Sequence, residues 1–293
     1  MLLLGFAEST HQARAVARLA ALDYAEIGIH HFPDGESRLT LPTSLPSQVI
    51  IYRSLEQPND KLLELFLVSS ALREAGVKQL TLIAPYLCYM RQDQAFAIGE
   101  VVSQKHVGKL LAAHFDGLIT VDPHLHRTPL LSQAVPVKNA VTLHASKAMA
   151  EFLQTLEEAP LLLGPDLESR QWVEEIARSQ GLEFAVADKL RLSDHKVEVS
   201  LPQLNYSGRH VILVDDVVSS GHTMAEAARG LLKAGAAKVD CLITHALFAE
   251  GAEKLLNESG VHRIFSTDAI PHHTNCLSLA PLLADALNTM IQD

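Results

Sequence analysis

The sequence has few cysteines, no long apolar run and no segment that resembles a secretion signal. Three cysteines, Cys88, Cys241 and Cys276, occur among 293 residues without a Cys-x-x-Cys pair, which favours a reducing cytoplasm over secretion. No window of about 18 residues is uniformly apolar, so we expect no membrane-spanning helix and no membrane partner. The apolar start lacks a preceding basic stretch, so we expect no signal peptide.

Positive charge is also scarce. Lys and Arg number 24 against 34 Asp and Glu, which gives a formal net charge of −10. Nonspecific binding to nucleic acid needs a basic surface, so we expect no nucleic-acid partner. A local basic site for a phosphorylated small molecule remains open. The Walker A pattern GxxxxGK[ST] is absent too, so any kinase chemistry would not be of the P-loop kind.

What the sequence does contain is an alternation of short apolar strands and amphipathic helices. The hydrophobic fraction of 48% and the length suit a globular chain of about two domains. The predicted strands are Leu2–Phe6, Gln48–Tyr52, Gln79–Ala84, Gly117–Val121, Leu161–Gly164, His210–Val214 and Val239–Thr244. The predicted helices are Thr10–Ala21, Asp60–Ala75, Val101–His114, Leu167–Gln180, Thr223–Ala234 and Leu279–Ile291. This alternation predicts an α/β fold with parallel sheets, whose ligands bind beyond the carboxyl ends of the strands.

The chain also resembles itself. The segment Leu2–Gly5 recurs 159 residues later as Leu161–Gly164, and helix ends rich in Ala and Gly recur at nearly the same offset. We predict two similar domains related by internal duplication, over residues 1–145 and 146–293. The alternative is that βα units look alike in general.

One segment of the second half combines features that suit a sugar phosphate. An apolar strand is followed by Asp215 and Asp216, then by small residues and a predicted helix start. Backbone N–H groups at a helix start can bind a phosphate, and the two carboxylates can accept hydrogen bonds from vicinal sugar hydroxyls. The first half has Arg53 and Ser54 at the corresponding place, so this chemistry should belong to the second half alone. The alternative is a plain helix start with Ser219 or Ser220 as N-cap.

The segment resembles the phosphoribosyl-pyrophosphate-binding motif of type I phosphoribosyltransferases and ribose-phosphate pyrophosphokinases. Two positions depart from the common pattern: Ser219 stands where many relatives carry aspartate, and His222 where glycine is common. The resemblance implies that ribose 5-phosphate is bound by seven residues: Asp215, Asp216, Ser219, Ser220, Gly221, His222 and Thr223.

Further segments, in their order and over nearly the whole chain, resemble the ribose-phosphate pyrophosphokinase (PRPP synthetase) family. These are Phe32–Glu36, Arg91–Asp93, Asp122–His124, Gly164–Asp166 and Lys189–Arg191. The resemblance implies two phosphoribosyltransferase-like (Rossmann-like) domains and Mg²⁺-dependent transfer of the β,γ-diphosphate of ATP to the C1 hydroxyl of ribose 5-phosphate. It also implies a homo-oligomer, at least a dimer, in which an adenine-contacting turn reaches a neighbouring subunit's site.

The resemblance assigns roles to individual residues. ATP binding falls to Phe32, Asp34, Glu36, Arg91, Gln92 and Asp93; the metal–nucleotide complex to His124 and Asp166; and catalysis, on a mobile loop, to Lys189 and Arg191. Lysine and arginine on such a loop can neutralise phosphate charge and exclude water.

For single residues, purely structural interpretations remain open. Phe32–Glu36 can be an ordinary turn, Arg91 with Asp93 a surface ion pair, and Lys189 with Arg191 solvated charges. The histidine pairs 30–31 and 272–273, together with His124 and His126, can suggest a metal cluster, but no spacing demands one and we prefer unclustered histidines. Two rival functions also remain: a phosphoribosyltransferase, and a non-catalytic regulatory relative of a synthetase.

Overall fold

The computed structural model describes residues 1–125, 127–191 and 197–292, with the backbone alone at 189–191, 197, 198 and 292. The strands are β1 (Leu2–Phe6), β2 (Asp23–His31), β3 (Ser37–Thr40), β4 (Gln48–Tyr52), β5 (Gln79–Ile83), β6 (Gly117–Val121), β7 (Asn139–Leu143), β8 (Leu161–Gly164), β9 (Phe184–Val186), β10 (Asp188–Arg191), β11 (Val197–Ser200), β12 (His210–Val218), β13 (Lys238–Ala246), β14 (Arg263–Thr267) and β15 (Asn275–Leu277). The helices are α1 (Thr10–Leu19), α2 (Pro58–Glu74), α3 (Ser103–His114), α4 (Leu131–Ala134), α5 (Ser146–Leu153), α6 (Arg170–Gln180), α7 (His222–Lys233), α8 (Ala252–Glu258) and α9 (Ala280–Gln292).

The chain divides into two compact units. The first is Met1–His144 together with Leu279–Asp293, and the second is Ala145–Ser278. The division near residue 145 agrees with the predicted one, but the assignment of the C-terminal helix to the second domain is wrong. Helix α9 packs against α1 and β7 of the first unit. Its own sequence shows an apolar stripe but not which sheet that stripe covers.

Each unit is built on a sheet whose core strands are parallel. The sheet of the first unit has the order β3-β2-β1-β4-β5-β6-β7, with only β3 antiparallel to its neighbour. The sheet of the second unit has the order β15-β14-β13-β12-β8-β9 and is parallel throughout. The strands β1 and β8 are buried along their whole length, as expected for parallel strands covered on both faces.

The strand orders confirm the predicted duplication. Beginning at β2 and at β9, both sheets follow the same path, with β1 matched by β8, β4 by β12 and β5 by β13. The register agrees residue by residue, since Leu2 pairs with Val49 in the first unit and Leu161 pairs with Val211 in the second. Arg53 and Asp215 therefore occupy equivalent positions, since they lie four residues after Val49 and Val211 respectively.

No helix within the described ranges combines the length and the apolar character that a membrane crossing needs.

Gly108 marks the tightest helix contact of the first unit and gives a stability prediction. A Cβ atom at this position of α3 would lie 1.8 Å from the carbonyl oxygen of Ala134, at the end of α4. Because backbone cannot yield as a flexible side chain does, Gly108→Ala should lower the free energy of unfolding by about 3 kcal/mol in chemical denaturation. Gly230→Ala in α7 is the matched control, since its nearest neighbour is the Leu201 side chain at 3.3 Å. Equal stability of the two variants would contradict the predicted contact.

Candidate active site

The two adjacent aspartates lie inside a strand rather than after it. The predicted strand stops at Val214, but β12 continues to Val218 because β13 is equally long and pairs with it as far as Ala246. Asp216 is buried, and Asp215 is half-buried and accepts a hydrogen bond at Oδ1 from the backbone N–H of Asp216 (3.0 Å). The paired carboxylates are thus fixed at the carboxyl end of a central strand, where α/β sheets bind ligands.

The turn that follows leads directly into α7. It contains the other residues predicted to hold the sugar phosphate: Ser219, Ser220, Gly221, His222 and Thr223. The N-cap of α7 is Gly221, in the left-handed region with φ +76°, and no described side chain caps the helix start. The alternative of a serine N-cap is therefore wrong. A helix start without a side-chain cap presents backbone N–H groups and the positive end of the helix dipole to a ligand.

The segment after β13 is hydrogen-bonded to this turn through its backbone. The N–H of Ala249 donates to the carbonyl of Ser219 (2.9 Å), and the N–H of Phe248 donates to the carbonyl of Val218 (3.0 Å). A Cβ atom on Gly221 would lie 3.4 Å from the carbonyl oxygen of Ala252. The positive φ together with this close approach accounts for glycine at position 221.

Asp166 lies at the same edge of the sheet, beyond the end of β8, which is the strand next to β12. It is 8% exposed, and its Oδ1 accepts from the N–H groups of Glu168 (3.1 Å) and Ser169 (3.4 Å). It therefore caps the short 3₁₀ turn Leu167–Ser169 that precedes α6. A carboxylate is in this way anchored one strand away from Asp215 and Asp216.

The predicted catalytic loop is a hairpin that begins at this edge as well. Ala187, just after β9, donates its N–H to the carbonyl of Gly164 (2.9 Å), and β10 follows immediately. Strand β10 carries Lys189 and Arg191 and pairs antiparallel with β11, with Lys189 opposite Val199 and Arg191 opposite Val197. The side chains of Lys189 and Arg191 lie outside the described part of the structure, as do residues 192–196. The backbone places both residues on the extension of β9, the neighbour of β8.

In the first unit, the predicted adenine turn is the tip of the β2–β3 hairpin. Phe32 donates its N–H to the carbonyl of Glu36 (2.8 Å), and Gly35 donates to the carbonyl of Phe32 (2.9 Å) with φ +91°. The carboxylate of Asp34 accepts from the N–H of Glu36 (3.2 Å). All three predicted residues are exposed, and the Phe32 ring is 40% exposed at the tip.

The Arg91–Asp93 segment lies in the long loop after β5. Arg91 is exposed, and Asp93 pairs at 2.9 Å with Arg127, in the loop after β6, rather than with Arg91. Asp93 therefore does not form the surface ion pair with Arg91 that the sequence analysis left open. Its pair with Arg127 joins the loops after β5 and β6 instead. Arg127 escaped the sequence analysis because an ion pair across 34 residues leaves no local pattern. Gln92 is half-buried in this loop.

His124 lies in strained backbone at this edge. Both Asp122 and His124 have positive φ, of 39° and 52°, and the N–H of His124 donates to the carbonyl of Asp122 (2.8 Å). Asp122 is buried, and its carboxylate lies 2.9 Å from Nδ1 of His144. Non-glycine residues in this region cluster at ligand sites, because the surrounding structure must hold them there. His126 lies outside the described residues.

In the first unit, an ion-pair cluster lies at the position that corresponds to Asp215 and Asp216. Arg53 is 3% exposed and contacts Glu8 at 2.8 Å and Glu64 at 2.6 Å, with its guanidinium 3.8 Å from the Phe6 ring centroid. Glu64 also accepts from Ser37 (2.7 Å), at the base of the Phe32 hairpin. Glu8 and Glu64 were not predicted, since neither lies in a motif.

The two buried cysteines are poorly suited to act as nucleophiles. Cys88 and Cys241 are buried and Cys276 is exposed, and all three are free thiols. Burial raises the pKa of Cys88 to about 12 and also raises the pKa of Cys241. A thiol with so high a pKa is not a nucleophile near neutral pH.

Known protein families and solved structures match both halves of the chain. Residues 1–114 match the family model described as the N-terminal domain of ribose phosphate pyrophosphokinase, and residues 137–279 match the phosphoribosyl transferase domain. A crystal structure of phosphoribosylpyrophosphate synthetase from Mycobacterium smegmatis superposes with a TM-score of 0.84 over 99% of both chains at 24% identity, which shows the fold. The chain thus has a fold of two phosphoribosyltransferase-type domains.

Sequence relatives narrow the class to a family. The chain is 34% identical to the ribose-phosphate pyrophosphokinase of Methanopyrus kandleri over 99% of both chains. It is 31% identical to that of Methanothermobacter thermautotrophicus over 98% of this chain and 99% of the relative. The chain belongs to the ribose-phosphate pyrophosphokinase family.

Proposed function

We propose that the chain transfers the diphosphoryl group of ATP to ribose 5-phosphate, as the names of its relatives imply. The C1 hydroxyl oxygen attacks the β-phosphorus, the bond from that phosphorus to the α–β bridging oxygen breaks, and AMP leaves while the hydroxyl proton is lost. The observation that carries the proposal is the β12–α7 turn, where paired carboxylates precede a helix start without a side-chain cap.

The chain's residues divide the work at the sugar end. Asp215 and Asp216 accept hydrogen bonds from the vicinal hydroxyls, while the backbone of Ser219–Thr223 and the hydroxyls in it bind the 5-phosphate. Because Asp216 is buried and Asp215 is tied to its N–H, the carboxylates are preorganised before the sugar arrives.

The remaining residues act on the nucleotide. Lys189 and Arg191 neutralise charge that spreads over the transferred phosphates, and their hairpin excludes water that would otherwise hydrolyse ATP. Arg91 and Gln92 hold ATP, with Asp93 beside them. Phe32, Asp34 and Glu36 contact adenine, for which an exposed ring at a hairpin tip is suited.

We propose that Mg²⁺ accompanies the nucleotide, with Asp166 and His124 around it. Anchored carboxylates such as Asp166 fit this ion, since it prefers a few carboxylates and phosphate oxygens and retains several waters. When bound, Mg²⁺ neutralises phosphate charge. His124 suits an outer position, because imidazole is a poor ligand for Mg²⁺.

Isotopic labelling of ATP tests the transferred group. ATP labelled at the β-phosphorus should pass its label to the sugar product, and ATP labelled at the α-phosphorus should leave its label in AMP. Transfer of the γ-phosphoryl group alone, with release of ADP, would contradict the proposal. A product formed from a free base and PRPP would instead support a phosphoribosyltransferase.

The exposed Phe32 turn leads us to propose a homo-oligomer, at least a dimer, in which the turn serves a neighbouring subunit. The prediction is subunit complementation: a chain with Phe32→Ala and Asp34→Ala, mixed one to one with a chain carrying Lys189→Ala, should recover activity. Random assembly of dimers would restore about a quarter of the wild-type rate. Two inactive parents that stay inactive after mixing, or a monomer in light scattering, would contradict this arrangement.

We propose that the protein acts in the cytoplasm. All three thiols are free, which suits a reducing compartment.

A further inference from the structure

Glu253, His272 and His273 bring three metal-binding side chains together in the second unit. Nε2 of His272 lies 3.1 Å from Oε1 of Glu253, and Nε2 of His273 lies 3.0 Å from Oε2 of the same carboxylate. The three ligand atoms all lie within 4.8 Å of one another. Bonds of about 2.0–2.1 Å in a tetrahedral site place neighbouring ligand atoms about 3.3 Å apart, so a small opening of the cluster would admit an ion.

The local structure holds the cluster in place. Glu253 lies in the first turn of α8, and the histidines lie between β14 and β15. The N–H of His272 donates to Oδ1 of Asn275 (2.8 Å), whose amide in turn donates to the carbonyl of Thr267 (2.6 Å). The Asn275 side chain therefore fixes the segment that presents the histidines.

The ring of His272 is oriented for coordination through Nε2. Its Nδ1 lies 2.8 Å from Oγ1 of Thr274, which is itself 2.8 Å from Oγ of Ser266. The backbone N–H of Thr274 also donates to this Nδ1 (3.3 Å), so Nε2 carries the proton that faces Oε1 of Glu253 (3.1 Å). A bound ion would take the place of that proton, with Nδ1 held by its neighbours in the manner of an outer shell.

We propose that Glu253, His272 and His273 bind a divalent transition-metal ion of the Zn²⁺ class. Two imidazole nitrogens and one carboxylate favour Zn²⁺ over Mg²⁺, and three protein ligands leave a fourth position for water. The proposal departs from the preference of the sequence analysis against a metal cluster, because Glu253 brings both histidines of this pair together. The metal is separate from the Mg²⁺ proposed beside the nucleotide.

The three residues lie next to the segment after β13 whose backbone is hydrogen-bonded to the β12–α7 turn. The Phe248 ring lies 5.0 Å from the His272 ring, centroid to centroid, and Ala249 donates its N–H to Ser219. A bound ion would fasten the histidine segment to the start of α8. Hydrogen exchange at 248–254 and 271–275 should therefore slow when the ion binds.

The test is a calorimetric titration of the full chain, stripped by a chelator, with Zn²⁺ in the presence of excess Mg²⁺ and without nucleotide or sugar phosphate. We expect one saturable Zn²⁺ site per chain and slower exchange confined to the two segments. His273→Ala and Glu253→Gln should each weaken Zn²⁺ at least about 30-fold. Thermal unfolding of the metal-free variants checks that they fold, and Glu253→Gln preserves side-chain size.

Two controls keep the assignment specific. Cys276→Ser removes an exposed thiol near the cluster, and His262→Ala removes an exposed histidine of the same unit. Neither should change the Zn²⁺ affinity. Unchanged affinity in the His273 and Glu253 variants, loss of binding with Cys276→Ser, or no saturable binding would overturn the proposal. Because the readout needs no turnover, its failure is distinguishable from failure of the proposed function.

Discussion

Replacing Asp215 and Asp216 together with asparagine should raise the KM for ribose 5-phosphate at least about 100-fold. Each carboxylate is proposed to accept a charge-assisted hydrogen bond from a sugar hydroxyl, and such bonds contribute about 1.5–3 kcal/mol each. Asparagine keeps the side-chain size and an oxygen for the N–H of Asp216, so the turn should retain its shape. Initial rates of AMP release at varied ribose 5-phosphate measure the effect.

The matched control replaces another pair of adjacent carboxylates in the same unit. Glu157 and Glu158 are both exposed, between α5 and β8, and Glu157→Gln with Glu158→Gln removes the same charge. Its KM values should stay within about twofold of the wild type, because exposed charges contribute little. If the aspartate variant kept its KM for ribose 5-phosphate, the sugar would have to bind elsewhere.

Lys189→Ala should lower kcat by about 10²–10³-fold while changing the KM for ribose 5-phosphate little. The ammonium group is proposed to neutralise charge that develops on the transferred phosphates, and loss of one such group typically costs this much. Lys189 lies in β10, which begins two residues after the end of β9 and pairs only with β11, outside the main sheet. The substitution should therefore leave the core of the unit intact.

Lys233→Ala is the control for Lys189. Lys233 is exposed in the last turn of α7, in the same unit. Its kcat should match that of the wild type. An unchanged kcat in Lys189→Ala would contradict the proposed role of Lys189 in neutralising charge on the transferred phosphates.

The repeated βα pattern was the most informative feature of the sequence. The predicted strands Leu2–Phe6, Gln48–Tyr52, Gly117–Val121 and Leu161–Gly164 match the observed bounds, because buried parallel strands are continuous apolar runs. The Phe32–Glu36 turn was also predictable, since its conformation depends on Gly35 and on hydrogen bonds within five residues. The internal repeat also predicts that Arg53 corresponds to Asp215, and the strand registers of the two sheets agree.

What depends on distant partners could not be predicted. The length of β12 follows from that of β13, and the location of α9 follows from α1 and β7. The Arg127–Asp93 link and the Glu253–His272–His273 cluster join residues that are far apart in sequence. The Ser-Ser-Gly sequence also left a serine N-cap open as an alternative, and packing against Ala252 favours the glycine N-cap instead.

The most direct test of the account is AMP release by the full chain with Mg²⁺ and ATP, in the presence and absence of ribose 5-phosphate. Diphosphoryl transfer predicts AMP that appears only when the sugar phosphate is present, in equal amount with 5-phosphoribosyl 1-pyrophosphate. ADP in place of AMP, or AMP at the same rate without the sugar, would contradict it.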